Sequence, residues 1–214
     1  MTKLLFILLM SSLTISWATV SKAPQVITPK EIQKAEQQYG LLAARRLQAW
    51  QTLVSENYQK PEKIKLDKVN RFFNEARFVS DAEHWGQKDY WATPVELLGT
   101  DAGDCEDFVI AKYFTLKAMG VAESKLYLTY VKAIRLRQAH MVLTYFETPR
   151  SIPLVLDNIN RRIVPATQRR DLIPIYSFNG DGLWLSKQRG RGAAVKGGTQ
   201  KLKNWNRLLK RMQQ

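Results

Sequence analysis

An α+β fold, with helices leading and an antiparallel sheet following, is predicted by two patterns of apolar residues and the place where they meet. Up to about residue 120 the apolar side chains recur at three- and four-residue spacing, as on one face of a helix. Beyond it, β-branched and aromatic runs are joined by short turn-like linkers. Near the junction sits the one cysteine of the chain, Cys105, where a polar, glycine-containing turn passes into an amphipathic helix.

The chain opens with Lys3, an apolar run over residues 4–10 and small residues around Ala18 and Ala23. That order is expected of a secretory signal peptide, assigned to residues 1–23, and the run is too short for a comfortable membrane span. No cysteine follows it to carry a lipid. Export would place the protein in an oxidising compartment, where a single unpaired thiol is either reactive or bridged to another chain. The net charge of +14 suits an anionic membrane surface or an acidic protein partner. No nucleic-acid motif accompanies it, so nucleic acid is not expected as a partner.

Residues 24–186 are read as one domain, large enough for a proper core. Ile32, Ala35, Tyr39, Leu42, Ala43, Leu47, Trp50, Leu53 and Val54 predict helix from Pro29 to about Tyr58, with Gly40 marking a kink. A second helix is predicted from Pro61 to Phe78 on the stripe Ile64, Leu66, Val69, Phe72, Phe73 and Ala76. The stretch 78–99 is rich in aromatics and turn residues. Trp85, Tyr90 and Trp91 either line a groove or staple the loop to the helices, and packing is the safer reading. Thr93-Pro-Val-Glu96 has the form of a capping box with proline at the first helical position. Asp104 is the expected N-cap of the next helix, and Gly120 its stop. Strands are expected over 125–133, 139–146, 152–157 and 172–178, then after the turn Asn179-Gly-Asp-Gly182. Residues 187–214 form a basic C-terminal tail with nine Lys or Arg and no acid. Its glycine-rich part is expected to be flexible, and Leu202 to Met212 to form a short amphipathic helix.

The chemistry is expected at Cys105. A helix N-terminus offers unpaired N–H groups and the positive end of the dipole, both of which favour thiolate. Nucleophilic catalysis also needs a histidine to take the proton and a carboxylate or amide to hold the imidazole. His140 opens one predicted strand and Asp157 closes the next, so neighbouring antiparallel strands can bring them together. Read singly, His140 is a half-buried strand histidine and Asp157 a turn residue. His84, between Glu83 and Trp85, is the rival base. Asp101, Asp104, Glu106 and Asp107 place four carboxylates within seven residues. Their charge raises a thiol pKa and opposes the helix end, so something should neutralise it. A capping pair of Asp104 and Asp107 is the metal-free account, and the spacing does not match an EF-hand.

Thr93-Pro-Val-Glu96, Gly103-Asp-Cys-Glu-Asp-Phe108, Ala139-His-Met-Val-Leu143 and Val155-Leu-Asp-Asn158, in that order, resemble the motifs of the bacterial transglutaminase-like cysteine proteinases of the LapG type. The resemblance spans about residues 60 to 185. It implies a papain-like, transglutaminase-like fold, with Cys105 as nucleophile, His140 as general base and then acid, and Asp157 orienting His140. It also implies a calcium ion held by Asp104, Glu106 and Asp107; hard carboxylate oxygens suit that ion. The implied activity is endoproteolysis of the N-terminal region of a large, repeat-containing surface adhesin at a paired-alanine site, which disperses a biofilm. The implied inhibitory partner is the periplasmic domain of an inner-membrane cyclic di-GMP receptor. The residues themselves leave two other readings open: a transglutaminase-like acyl transferase, and a non-catalytic exported protein that holds an acidic partner.

Overall fold

A computed structural model describes residues 22–187 and 190–213. The predicted signal peptide therefore lies almost wholly outside the described residues. Among those described, no helix is long and apolar enough to cross a membrane.

Helix α1 (Pro29–Tyr39) begins at a Thr28–Glu31 capping box behind Pro29. Gly40, at φ 89°, ends it and starts α2 (Leu41–Asn57), so the expected kink is a full break between two helices. Helix α3 (Glu62–Phe73) stops five residues before the predicted end. Arg77 and Phe78 instead form strand β1 (Arg77–Phe78), which pairs in parallel with β2 (Ala102–Gly103) and ties the α3 exit to the turn before Cys105. Between them lie the single turn α4 (Asp81–His84) and α5 (Pro94–Thr100), whose Thr93–Glu96 capping box forms as expected. Helix α6 (Cys105–Ala118) follows, and Gly120 at φ 83° turns the chain into the sheet.

Seven antiparallel strands run in the order β6-β5-β4-β3-β7-β8-β9: β3 (Leu126–Ala133), β4 (Gln138–Tyr145), β5 (Leu154–Leu156), β6 (Val164–Pro165), β7 (Leu172–Asn179), β8 (Gly182–Lys187) and β9 (Gly190–Ala194). The register pairs Leu126 with Tyr145, Leu128 with Leu143 and Tyr130 with Met141. Side chains two apart share a face of a strand, so this row lies on one side, and it belongs to the main core with Leu47, Val54, Leu66, Val69, Phe73, Ile110 and Leu116 of the helices. The core is the seam between α6 and the middle of the sheet. A second, small cluster of Val131, Val142 and Val155 covers the other face.

The short amphipathic helix expected at the end of the basic tail forms, whereas part of its glycine-rich stretch, expected to be flexible, is a strand. The tail adds β9 to the sheet edge and ends in α7 (Lys203–Arg211), whose Trp205 and Leu208 are buried in the main core. Trp205 stacks on Phe114 at 5.7 Å and meets Phe178 edge-on at 5.3 Å. Lys203, Arg207 and Lys210 stay exposed on the opposite side. Local charge gave no hint of the receiving pocket, which Phe114 and Phe178 build from distant elements.

Candidate active site

Cys105 is the first residue of α6 and is partly exposed. Gly103 makes the approach possible: a Cβ there would lie 2.6 Å from Asp107 Oδ2 and 2.8 Å from Leu97 Cδ1. Asp107 can thus fold back over the turn, where its Oδ2 accepts the Asp104 N–H at 3.2 Å and its Oδ1 accepts the Ala92 N–H at 2.7 Å. The expected capping acid is in place, and it also ties the 85–93 loop to the helix start.

Helix α6 packs against β4, and the Met141 backbone amide, next to His140 on that strand, opposes the burial that raises the Cys105 thiol. His140 is 2 % exposed, and its Nε2 lies 2.9 Å from Asp157 Oδ1 just beyond the end of β5. Asp157 is fully buried. Burial opposes its ionisation, but the bond and charge of His140, the Ile159 N–H and Arg169 outweigh it and hold its pKa down at about 2. A carboxylate only accepts, so Nε2 carries a proton, and in the neutral imidazole the lone pair is on Nδ1. β4 and the end of β5 therefore bring His140 and Asp157 together, and α6, which packs against β4, carries Cys105 at its start. His84 is not part of it; its Nε2 lies 2.9 Å from Thr100 Oγ1 and its ring packs on Trp85.

Arg169 was not singled out from the sequence. It is 6 % exposed, with Nη1 2.8 Å from Asp157 Oδ2 and Nη2 2.9 Å from Asp171. Asn74, at the end of α3, donates to the Asp157 carbonyl at 2.8 Å. The carboxylate is thus held from both sides and along the backbone. Only the chain-length separation hid these partners, since neither lies within a local motif.

The acidic cluster is wider than the sequence suggested. Ligand oxygens of Asp81, Asp104 and Asp107 lie within 4.8 Å of one another, as do those of Asp81, Asp89 and Glu106. Asp107 spends both oxygens on backbone amides, whereas Asp81 Oδ1 and Asp104 Oδ1 are buried without a hydrogen-bond partner among the described residues. Burial, then the neighbouring acids, push the Asp104 carboxyl up to about 10. Burial also raises Asp81 to about 6, against the Tyr90 N–H, which lowers it. The Cys105 thiol is raised as well, first by burial and then by Glu106, whose Oε2 accepts its proton at 3.0 Å. Orphaned buried carboxylate oxygens, converging with no ion pair to a basic side chain among the described residues, fit a hard divalent cation such as calcium. Asp81, which α4 carries in, had no signal in the sequence beyond being an acid. Trp91 stacks on Phe178 at 5.8 Å and Trp85 lies 4.7 Å from Tyr90, so these aromatics pack the loop down.

A thiol at a helix start, an imidazole on the adjoining strand and a buried carboxylate behind it, set on helices followed by an antiparallel sheet, define a cysteine proteinase of the transglutaminase-like class. The family model for bacterial transglutaminase-like cysteine proteinases (BTLCP) matches residues 45–185, and the chain belongs to that family. The particular relatives are structures of Legionella pneumophila LapG. One is 44% identical and superposes with a TM-score of 0.75 over 89% of this chain and 99% of that one. Calcium-bound LapG is 45% identical, with a TM-score of 0.74 over 87% and 99% of the two chains. EGTA-treated LapG is 44% identical, with a TM-score of 0.77 over 89% and 100%. Among curated proteins no significant match is found. The expected fold and family are both borne out.

Proposed function

We propose that the chain is a calcium-dependent periplasmic cysteine endopeptidase with Cys105 as nucleophile, His140 as base and then acid, and Asp157 orienting His140. The observation that carries the reading is the 2.9 Å bond between His140 Nε2 and Asp157, on the strand against which α6 packs with Cys105 at its start.

In this mechanism Nδ1 of His140 takes the thiol proton, and the thiolate adds to the scissile carbonyl. The Cys105 N–H, at the helix start, donates to the oxyanion. As the carbon–nitrogen bond breaks, the imidazolium gives its proton to the leaving amine, and a thioester remains. Water then adds with His140 again as base, releasing the carboxylate product and restoring the thiol. Asp157 stays ionised throughout and holds the tautomer. Asp104 and Glu106, with Asp81, Asp89 and Asp107 beside them, would hold calcium, as calcium-bound LapG supports. When bound, the ion supplies positive charge that offsets the acids next to the sulfur.

The substrate is the N-terminal region of a large repeat-containing adhesin, cut at a paired-alanine site and so shed from a biofilm. The inhibitory partner is the periplasmic domain of a cyclic di-GMP receptor. Support for both is the family's four ordered motifs and the signal-peptide-like order of residues 1–23. The test is incubation of the purified mature protein with the N-terminal region of such an adhesin from a neighbouring reading frame. Cleavage should give new peptide termini and should vanish in folded Cys105→Ala and His140→Ala variants. Undiminished cleavage by either rejects the mechanism. EGTA should stop cleavage and added calcium restore it; indifference to chelator removes the metal and leaves the cysteine chemistry standing.

A further inference from the structure

The C-terminal helix reaches the acidic site through one side chain. Arg211, in the last turn of α7, donates from Nη2 to the carbonyl oxygen of Trp91. Its guanidinium carbon lies 4.5 Å from the Tyr90 ring centroid, and its Nε lies 3.6 Å from Glu96 Oε1. That Glu96 oxygen also accepts the Tyr90 hydroxyl at 2.8 Å, while Glu96 Oε2 caps α5 through the Thr93 N–H.

The Trp91 carbonyl and the Ala92 N–H belong to one peptide group. Arg211 grips the oxygen end, and the fully buried Asp107 carboxylate grips the N–H end at 2.7 Å. A cation at the negative end of the peptide dipole and a carboxylate at the positive end fix its orientation. One residue earlier, the Tyr90 N–H donates to Asp81 Oδ2 at 2.5 Å. The backbone that aims Asp81 and Asp107 is therefore the backbone that Arg211 holds. A second route runs in parallel, because Phe178 packs against both Trp91 and Trp205. The docked tail, which lies beyond the residues matched by the family model, thus has a role near the site.

We propose that Arg211 is a positioning residue for the cation site: by clamping the 91–92 peptide it holds the 81–92 segment so that the Asp81 carboxylate faces Asp104 and Glu106, and calcium affinity depends on the C-terminal helix. The proposal rests on reading the acidic cluster as a calcium site. The sign of the effect separates the clamp from plain electrostatics. Removing a positive charge near a cation site strengthens cation binding, whereas releasing the loop weakens it.

The test uses the mature full-length chain and calcium alone, with affinity read by titration calorimetry and amide exchange of Tyr90 and Ala92 read without calcium. Arg211→Ala should weaken calcium binding about tenfold, as loss of an outer partner of a metal ligand does. It should also speed exchange at both amides. Arg211→Lys should recover only part of the affinity, since an ammonium cannot bond the carbonyl and cover the ring as a planar guanidinium does. Lys210→Ala, which removes the same charge from the exposed side of α7, should leave the Tyr90 and Ala92 exchange unchanged. Affinity in Arg211→Ala equal to or tighter than wild type overturns the proposal. A wild-type protein that binds no calcium sinks the metal reading itself; the dependence of affinity on Arg211 falls with it, and unchanged exchange in Arg211→Ala then removes the clamp too.

Discussion

Asp157 makes its contribution by staying charged where burial alone would neutralise it. His140, the Ile159 amide and Arg169 outweigh desolvation and depress the carboxyl to about 2, below its unfolded value. A group with a depressed folded pKa contributes stability that is fully present above the unfolded pKa, near 4. That contribution is lost as pH falls through the folded pKa. The expected size is roughly 2 kcal/mol. In urea unfolding at pH 5 and pH 2.5 the stability difference between wild type and Asp157→Asn should therefore narrow at the lower pH, closing only below the folded pKa of about 2. A stability difference that stays constant between those pH values contradicts the assignment. The same substitution should nearly abolish cleavage, because an amide no longer secures the tautomer. His140 and Asp157 were legible as residues, since one opens a strand and the other closes the next. Arg169 was not, because a guanidinium twelve residues past its partner has no periodic signature.

At the level of the element, α6 carries Cys105 at its partly exposed start and a conflict in its middle. Lys112 is fully buried, and its ammonium has no hydrogen-bond acceptor among the described residues, only the Phe108 ring at 5.9 Å. Burial brings its pKa down to about 7, with Asp157 opposing the fall. For a base lowered in this way the penalty is greatest below about pH 7 and has gone by the unfolded value near 10. Wild-type stability should therefore rise between those limits by up to roughly 4 kcal/mol. Lys112→Met, close in volume, should be more stable than wild type at pH 6 and lose that advantage by pH 10. A Lys112→Met protein less stable at pH 6 would show that the ammonium is satisfied in the fold. The helix was readable end to end, because Asp104 and Gly120 are local signals. Short β1, β2 and β6 were not, since two residues are too few to show alternation.

Across the whole molecule, the C-terminal helix closes the core that the first helices and the sheet begin. Trp205 is 2 % exposed among Phe114, Tyr113 and Phe178. Trp205→Ala should cost about 3–5 kcal/mol. Thermal melts should show a matching fall in Tm, and an unchanged Tm would mean that α7 is not docked in solution. With a net charge of +14 the chain repels itself, which makes this apolar seat more important for keeping a basic helix on a basic protein.

The amino-acid sequence by itself determined the α+β order, the capping boxes at Thr93 and Asp104, and the presence of a thiol, an imidazole and a carboxylate at the ends of consecutive elements. These follow from interactions within a few residues, where spacing along the chain is spacing in space. Only the tertiary structure decided that Arg169 and Asn74 hold Asp157, that Asp81 joins the acidic cluster, and that Arg211 and Trp205 bind the tail to the site. Each of these depends on which distant surfaces the core brings into contact, and local hydrophobic periodicity carries no record of that.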